Sequence, residues 1–166
     1  LKLRLWIQEG LQADSTGSFL DDFSSALYEL ETGKYDKAVD LFEVVMNDPA
    51  NPLKDNALIE LLSRSPIPLQ ISLIDDLKIL IKDGNNSPLR ERLLWERARI
   101  SKILFNSDKL KDKETINNST AVSDIYEIPS ESDLISYYEE LLIEFPNGFY
   151  APIARQEIRN IQEKNT

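Results

Sequence analysis

The sequence predicts an all-α fold, in which antiparallel helix hairpins stack side by side as a short α-solenoid of about seven or eight helices. Apolar residues recur at the 3.6-residue period of a helix through most of the chain. Glycine and proline interrupt this pattern at short intervals, as expected for turns between helices. The alternating pattern that marks a strand is missing. With 166 residues, 42% of them apolar, the chain is long enough to bury a core as one domain, residues 1–166.

The first part of the chain is predicted to hold an N-terminal helix and one clear hairpin. Polar residues at 14–18 end the N-terminal helix, which we place within residues 1–17. Gly33 supplies the left-handed turn between the two helices of the hairpin. Because proline stops a helix, the second of them ends before Pro49, and the hairpin occupies residues 18–50.

The rest of the chain is predicted to contain longer helices separated by one polar segment. Helical periods indicate one helix over 69–82 and another over 87–105. After Asn106 the period fades, which predicts a long loop, with a short helical extension as the alternative. Ser130 or Ser132 is expected to cap the next helix. The predicted segments are further helices over 53–105, a polar loop or insertion over 106–130 and a C-terminal helix pair over 131–164.

The composition argues against most catalytic chemistry and against nucleic acid as a partner. The chain is acidic, with a formal net charge of -10, which repels phosphate backbones. It contains no His and no Cys, so the commonest general base, thiol nucleophiles and thiolate metal sites are missing. We therefore expect a protein that is not an enzyme and uses no cofactor and no metal.

Paired carboxylates are the one feature of the sequence that acid-base catalysis by carboxylates, or a metal site with oxygen ligands, would use. Adjacent residues of a helix point about 100° apart, so none of the three carboxylate pairs converges on one atom by itself. We interpret them as solvated helix faces and as favourable charges in first helical turns. The pairs are Asp21 with Asp22, Asp75 with Asp76, and Glu139 with Glu140.

The run ALYELETGKYDKAVDLFEVVMNDP, from Ala26 to Pro49, resembles one tetratricopeptide repeat (TPR). In that family, small residues stand where the two helices cross, as Ala26 and Ala38 do here, and aromatic residues such as Phe42 fill the space toward the next pair. Glu29 departs from the pattern, because a large apolar residue is common at its position.

The run YEELLIEFPNGFYAPIA, from Tyr138 to Ala154, is similar to repeats of bacterial cell-envelope TPR proteins, in which an aromatic-Pro turn ends one helix and a Tyr-Ala-x-x-Ala segment opens the next. This resemblance implies a helical-repeat scaffold, periplasmic or anchored in the cell envelope in preference to cytoplasmic. No apolar run is long enough to span a bilayer. Because the chain begins at Leu1 and not at Met, we expect a fragment whose membrane attachment comes only from an anchor outside it.

The helix predicted over 87–105 carries the candidate partner-binding residues. An exposed Trp beside three cations is typical of interface hot spots and would receive an acidic or aromatic segment of a partner. The alternative is that Trp95 and Ile103 pack against a neighbouring helix pair, which we favour. The candidates are Arg92, Trp95, Arg99 and Lys102.

Two further arginines of this helix, Arg90 and Arg97, fall on its apolar face. A cation there needs a partner or a path to water. We therefore predict that each pairs with a carboxylate of an adjacent acidic helix.

These observations lead to three hypotheses for function. The preferred one is a non-catalytic scaffold that binds another protein or peptide, with an acidic groove for a basic peptide as one interpretation of the uneven charge. The alternative is a helical accessory domain of a larger envelope or glycan-processing enzyme. Small-molecule binding between helices is the third. The partner's identity and the oligomeric state do not follow from the sequence.

Overall fold

The computed structural model describes residues 2–83, 87–111 and 126–163, with side chains over 3–83, 87–107 and 126–163. In these ranges the regular structure is helical and neighbouring helices pack together, which confirms the all-α, solenoid-like fold. Contacts divide the chain into two compact units, Leu1–Leu73 and Ile74–Thr166. A single domain over 1–166 stays a prediction. The described helices are α1 (Lys2–Ala13), α2 (Ser18–Glu31), α3 (Tyr35–Asn47), α4 (Lys54–Arg64), α5 (Ile67–Ser72), α6 (Ile74–Asp83), α7 (Arg90–Lys111), α8 (Glu131–Glu144) and α9 (Ala151–Glu163).

The hairpin of α2 and α3 is the best-packed part of the first unit. Gly33 adopts φ 77°, as predicted for the residue that reverses the chain between the two helices. Ala26 and Ala38 are fully buried. Their small side chains allow the two helix backbones to approach closely. The helix α3 ends at Asn47, because the residue before Pro49 is extended and cannot continue a helix.

A chain of three aromatic rings forms the centre of the first unit. Phe23 lies edge-on to Trp6, with ring centroids 4.9 Å apart, and edge-on to Phe42, at 5.6 Å. All three rings are buried. Trp6 also donates a hydrogen bond of 3.0 Å from its indole Nε1 to Oδ1 of Asn56. These contacts join α1, α2, α3 and α4.

The turn between α1 and α2 is held by one carboxylate. Asp14 accepts hydrogen bonds from the backbone amides of Thr16 and Ser18, at 3.0 and 2.8 Å, and from both of their hydroxyl groups. These bonds hold the pKa of Asp14 well below its usual range, with the Ser18 hydroxyl the largest cause. Gly17 adopts φ 83°, a left-handed conformation that glycine reaches without strain. The chain therefore turns sharply at Gly17, and α2 begins at the next residue, Ser18.

Replacing Gly10 by alanine is expected to destabilise the first unit. A Cβ atom at Gly10 would lie only 2.6 Å from Cγ of Leu20, so either the Leu20 side chain or the two helices would have to shift. Such overpacking destabilises a protein by about 1 to 3 kcal/mol. The higher helix propensity of alanine offsets about 1 kcal/mol of this loss, so we expect a net decrease in the free energy of unfolding. Urea denaturation measures the change, with Gln8→Gly and Gln8→Ala, at an exposed interior position of the same helix, as controls for propensity alone. A G10A protein as stable as the wild type would contradict this close crossing.

The helix predicted over 69–82 is two helices, α5 and α6, separated at Leu73. The short α5 begins earlier than predicted, with Pro68 in its first turn, where the missing amide hydrogen costs nothing. Asp75 and Asp76 lie in the first turn of α6, where carboxylates favour a new helix start. The described residues therefore form nine helices, one more than the largest predicted number, eight.

The second unit stacks its helices in chain order, with α7 against α6, α8 against α7 and α9 against α8. Helix α7 begins at Arg90, later than predicted, and continues past Phe105 to Lys111. Residues 106–111, predicted as part of a polar loop, are therefore helical, as in the alternative prediction of a short helical extension. The remaining polar segment, 112–125, lies outside the described residues. Ser130, one of the two residues predicted to cap α8, forms a capping box with Asp133 at the start of this helix.

Candidate binding surface

The face of α7 that carries the predicted site packs against the C-terminal helix pair. The ring of Trp95 stacks on that of Tyr150, with centroids 5.0 Å apart and planes at 10°, and its centroid lies 6.2 Å from that of Tyr138. Trp95 is half-buried and Tyr138 fully buried. This arrangement agrees with the interpretation that Trp95 packs against a neighbouring helix pair.

The carboxylate of Glu96 lies between two of the predicted cations. Its side chain is 1% exposed, and its two oxygens accept separately from Nη2 of Arg92 and Nε of Arg99, each at 2.6 Å. Arg92 and Arg99 are each partly exposed. A buried charge requires such compensation, so Glu96 is a structural carboxylate held by two guanidinium groups.

Arg92 and Lys102 also reach the C-terminal pair. Arg92 donates to the hydroxyl group of Tyr150 and lies over that ring, 5.5 Å from its centroid. Lys102 forms an ion pair with Glu157 of α9. All four candidate residues thus contact other side chains of the chain itself. That Arg92, Trp95, Arg99 and Lys102 bind a partner stays a prediction.

The two arginines on the apolar face of α7 pair as predicted with acidic residues of α8. Arg90 donates from Nε and Nη2 to the carboxylate of Glu144, at 2.6 and 2.7 Å. Arg97 donates from Nη2 to Glu140 at 2.6 Å, and its guanidinium lies 4.4 Å from the ring centroid of Tyr137. The internal pairing of Arg90 and Arg97 is therefore confirmed.

The Arg90–Glu144 pair predicts a dependence of stability on pH. Hydrogen bonds from Arg90 lower the pKa of Glu144 below its ordinary value of 4.5. A carboxylate with a lowered pKa stabilises the fold above its unfolded pKa and loses this contribution as pH falls through the folded value. The difference in melting temperature between wild type and Glu144→Gln should be full above pH 4.5 and shrink below it. A difference that does not change with pH would contradict the pair.

A capping contact at the start of α9 was not predicted from the sequence. Oε1 of Glu91 accepts a hydrogen bond of 2.9 Å from the backbone amide of Tyr150. Its carboxylate crosses directly over Gly148, which has no side chain to block it. Glu91 on α7 and Gly148 are 57 positions apart in the sequence. The sequence indicates the aromatic-Pro turn but not the carboxylate above it.

Replacing Gly148 by alanine is expected to lower the free energy of unfolding by about 1 to 2 kcal/mol. The new Cβ would overlap Oε1 of Glu91 and displace it from the amide of Tyr150. Denaturation with the single and double variants of Gly148→Ala and Glu91→Ala measures the coupling. We expect the second substitution to add little to the first. Full additivity would argue that the two residues act independently.

Glu29 of α2 has a physical role that the TPR pattern does not indicate. It is 7% exposed and pairs with Lys34 at 3.0 Å and with Lys37 at 2.5 Å. Hydrogen bonds from Lys37 and then Lys34 lower the pKa of Glu29. The carboxylate therefore ties the end of α2 to the turn and to α3, in place of an apolar contact.

A cleft of about 400 Å³ opens in the second unit between α7, α8 and α9. Its apolar lining residues are Leu134, which is fully buried, Ile161, which is 8% exposed, and half-buried Phe105. Lys102 is the one predicted binding residue that lines it. The cleft is also lined by Asn106, Glu131, Glu157, Asn160 and Glu163.

The paired carboxylates do not gather into a metal site in the part of the chain that is described. Over 2–83, 87–111 and 126–163, no group of three or more acidic side chains is placed to hold a metal ion. Glu140, a member of one pair, bonds to Arg97. Asp76, a member of another, has a raised pKa because of burial and then the charge of Asp75.

None of the described helices combines the length and the apolar character required of a membrane span. Comparisons with known proteins add no family to this architecture: no family model matches the sequence, no curated protein matches it, and no solved structure matches the fold.

Proposed function

We propose that this protein is a non-catalytic scaffold of TPR-like helix pairs, which binds an extended segment of a partner protein in a bacterial cell-envelope assembly. The observation that carries the proposal is the cleft between α7, α8 and α9. It combines apolar surface with charged groups, which is the usual composition of a recognition site. The envelope setting rests on the resemblance of the α8–α9 segment to cell-envelope repeats.

The packing of the TPR-like positions supports the assignment to this class of repeat. Ala26 and Ala38 are fully buried at the crossing of α2 and α3, and Phe42 is fully buried beside them. Ala151 and Ala154 have the same small, fully buried character in α9. Small residues at helix crossings are what stacked helix pairs require, and such stacks leave grooves open to a partner.

The size of the cleft favours an inserted side chain over a whole globular partner. Its volume, about 400 Å³, lies at the lower end of the range for ligand pockets. Half-buried Phe105 and the exposed edge of Ile161 offer an apolar contact at which a partner side chain would lose its water. A short segment that anchors one or two side chains fits these properties.

Peptide selection tests the proposal. A library of random peptides displayed on phage is selected against the full chain, and the Kd of each enriched peptide is measured by isothermal titration calorimetry. The same peptides are then measured against Asn160→Trp, which fills the cleft, and against Gln162→Trp. Gln162 is exposed on the same helix and outside the cleft, so it is the matched control.

We expect enriched peptides to lose about tenfold or more in affinity for the Asn160→Trp protein, because a blocked anchor removes at least 1.4 kcal/mol. Affinity for the Gln162→Trp protein should equal that of the wild type. If no peptide is enriched, or if both variants bind equally well, the proposal is wrong.

A further inference from the structure

The turn between α8 and α9 contains the only Asn-Gly dipeptide of the chain, Asn147-Gly148. Asn147 is exposed, and in the described part of the chain its side-chain amide makes no hydrogen bond. Gly148 carries no side chain that would keep its backbone nitrogen away from the side chain of Asn147. An asparagine in such a position loses its amide group readily in a reaction with the backbone nitrogen of the next residue.

The packing, and not the backbone conformation, requires a glycine at position 148. Among the described glycines, only Gly17 and Gly33 have a positive φ. At Gly148 the missing Cβ instead leaves room for the carboxylate of Glu91, which a Cβ atom would overlap. The contact that holds the start of α9 therefore also places a glycine directly after Asn147.

The same contacts restrain the nitrogen that would react. The N–H of Gly148 donates to the carbonyl oxygen of Phe145 at 3.1 Å, and Glu91 holds the amide of Tyr150 at 2.9 Å. A bonded N–H does not give up its proton until that bond breaks. The nitrogen must also become an anion, which the carboxylate of Glu91 disfavours because of its own negative charge. Attack on Asn147 therefore requires a local opening of this turn.

We propose that Asn147 is a site of spontaneous deamidation and that the contact of Glu91 with the turn sets the rate in the folded protein. When the turn opens, the Gly148 nitrogen gives its proton to hydroxide and forms a bond to Cγ of Asn147. The bond from Cγ to the side-chain nitrogen breaks, and this nitrogen takes a proton from water and leaves as ammonia. Water then opens the cyclic imide at one of its two carbonyl groups, which gives aspartate or isoaspartate. No group is oxidised or reduced.

Either product changes the turn. A new carboxylate at position 147 lies in the turn that the carboxylate of Glu91 crosses, and like charges repel each other. Isoaspartate also inserts an extra carbon atom into the main chain. Both changes weaken the hydrogen bond from the amide of Tyr150 to Glu91, which attaches the start of α9 to α7. Deamidation is thus a slow and irreversible change that loosens the C-terminal helix pair.

Mass spectrometry after long incubation tests the inference. Wild type and the Glu91→Ala, Glu91→Gln and Glu139→Ala proteins are kept folded at neutral pH, and the wild type is also kept in urea. Digestion after glutamate separates the peptide with Asn147 from the peptide with Asn160, and an isoaspartate methyltransferase labels isoaspartate. Glu139→Ala removes an exposed carboxylate from α8 and is the matched control. Asn160, followed by Ile161 within α9, is the internal control.

We expect the Glu91→Ala protein to deamidate at Asn147 about tenfold faster than the folded wild type, which corresponds to about 1.4 kcal/mol for the lost contact. Glu91→Gln keeps an acceptor for the amide of Tyr150 and should give an intermediate rate. Glu139→Ala should stay within about twofold of the wild type. The wild type in urea should react faster than the folded wild type, and faster at Asn147 than at Asn160.

Equal rates for folded wild type and Glu91→Ala would show that the contact does not control the turn and would overturn the inference. An intact Asn147 in urea, or a loss of amide at Asn160 as fast as at Asn147, would overturn the modification site itself. The reaction needs no partner protein, so each of these results leaves the proposed function to its own test.

Discussion

Replacing Phe42 by alanine is expected to lower the free energy of unfolding of the first unit by about 3 to 5 kcal/mol, the usual cost of deleting a buried aromatic ring. Phe42 is fully buried and lies edge-on to Phe23, which in turn contacts Trp6. The substitution removes both the apolar burial and the ring contact at the centre of the unit.

The chain allows this loss to be measured locally, because it has two tryptophans, one in each unit. In a Trp95→Phe background, the fluorescence of Trp6 follows the first unit alone during urea denaturation. Phe42→Leu is the matched control and should cost less than half as much, since it keeps most of the volume. A loss below about 1 kcal/mol for Phe42→Ala would contradict the buried position of this ring.

Replacing Glu96 by alanine is expected to destabilise the second unit by about 2 to 4 kcal/mol, because two charge-assisted hydrogen bonds are lost at a buried position. Arg92 and Arg99 each lose their 2.6 Å partner. Both arginines reach solvent in part, so the cost stays below that of leaving a fully buried charge unpaired.

Two variants separate this ion network from general charge effects. Glu96→Gln keeps the shape and the acceptor oxygen, so it should lose about half as much as the alanine variant. Glu139→Ala removes a carboxylate from an exposed position of α8 and should change stability by less than about 0.5 kcal/mol. The fluorescence of Trp95 in a Trp6→Phe background follows the unit. Equal effects of the Glu96→Ala and Glu139→Ala substitutions would contradict the role of Glu96.

Local sequence patterns predicted the features of this fold that depend on residues close together in the sequence. Gly33 and the helical periods on either side of it specify the α2–α3 hairpin, because the turn needs a positive φ. The positions of Arg90 and Arg97 on an apolar face were enough to predict carboxylate partners. A buried guanidinium group requires one, whichever helix supplies it.

Features that depend on which helices become neighbours were not predictable in the same way. Helical periodicity tells which face of α7 is buried but not which helix covers it. The sequence favoured packing of Trp95 against a neighbouring helix pair, but it did not indicate that Tyr150 supplies both the ring that stacks on Trp95 and the hydroxyl group that accepts from Arg92. The cleft needs three helices to come together, and Lys102 alone of the candidates lines it. The contact of Glu91 over Gly148 is non-local in the same sense.

A backbone amide NMR titration of the full chain with a library-selected peptide tests the central claim most directly. The account predicts that the largest chemical-shift changes fall on the residues around Lys102 in α7, Glu131 in α8 and Glu157 in α9, where the cleft lies. The same titration with the Asn160→Trp protein should leave these signals unchanged. Shifts concentrated on α1–α5, or spread evenly over the chain, would contradict a recognition site between α7, α8 and α9.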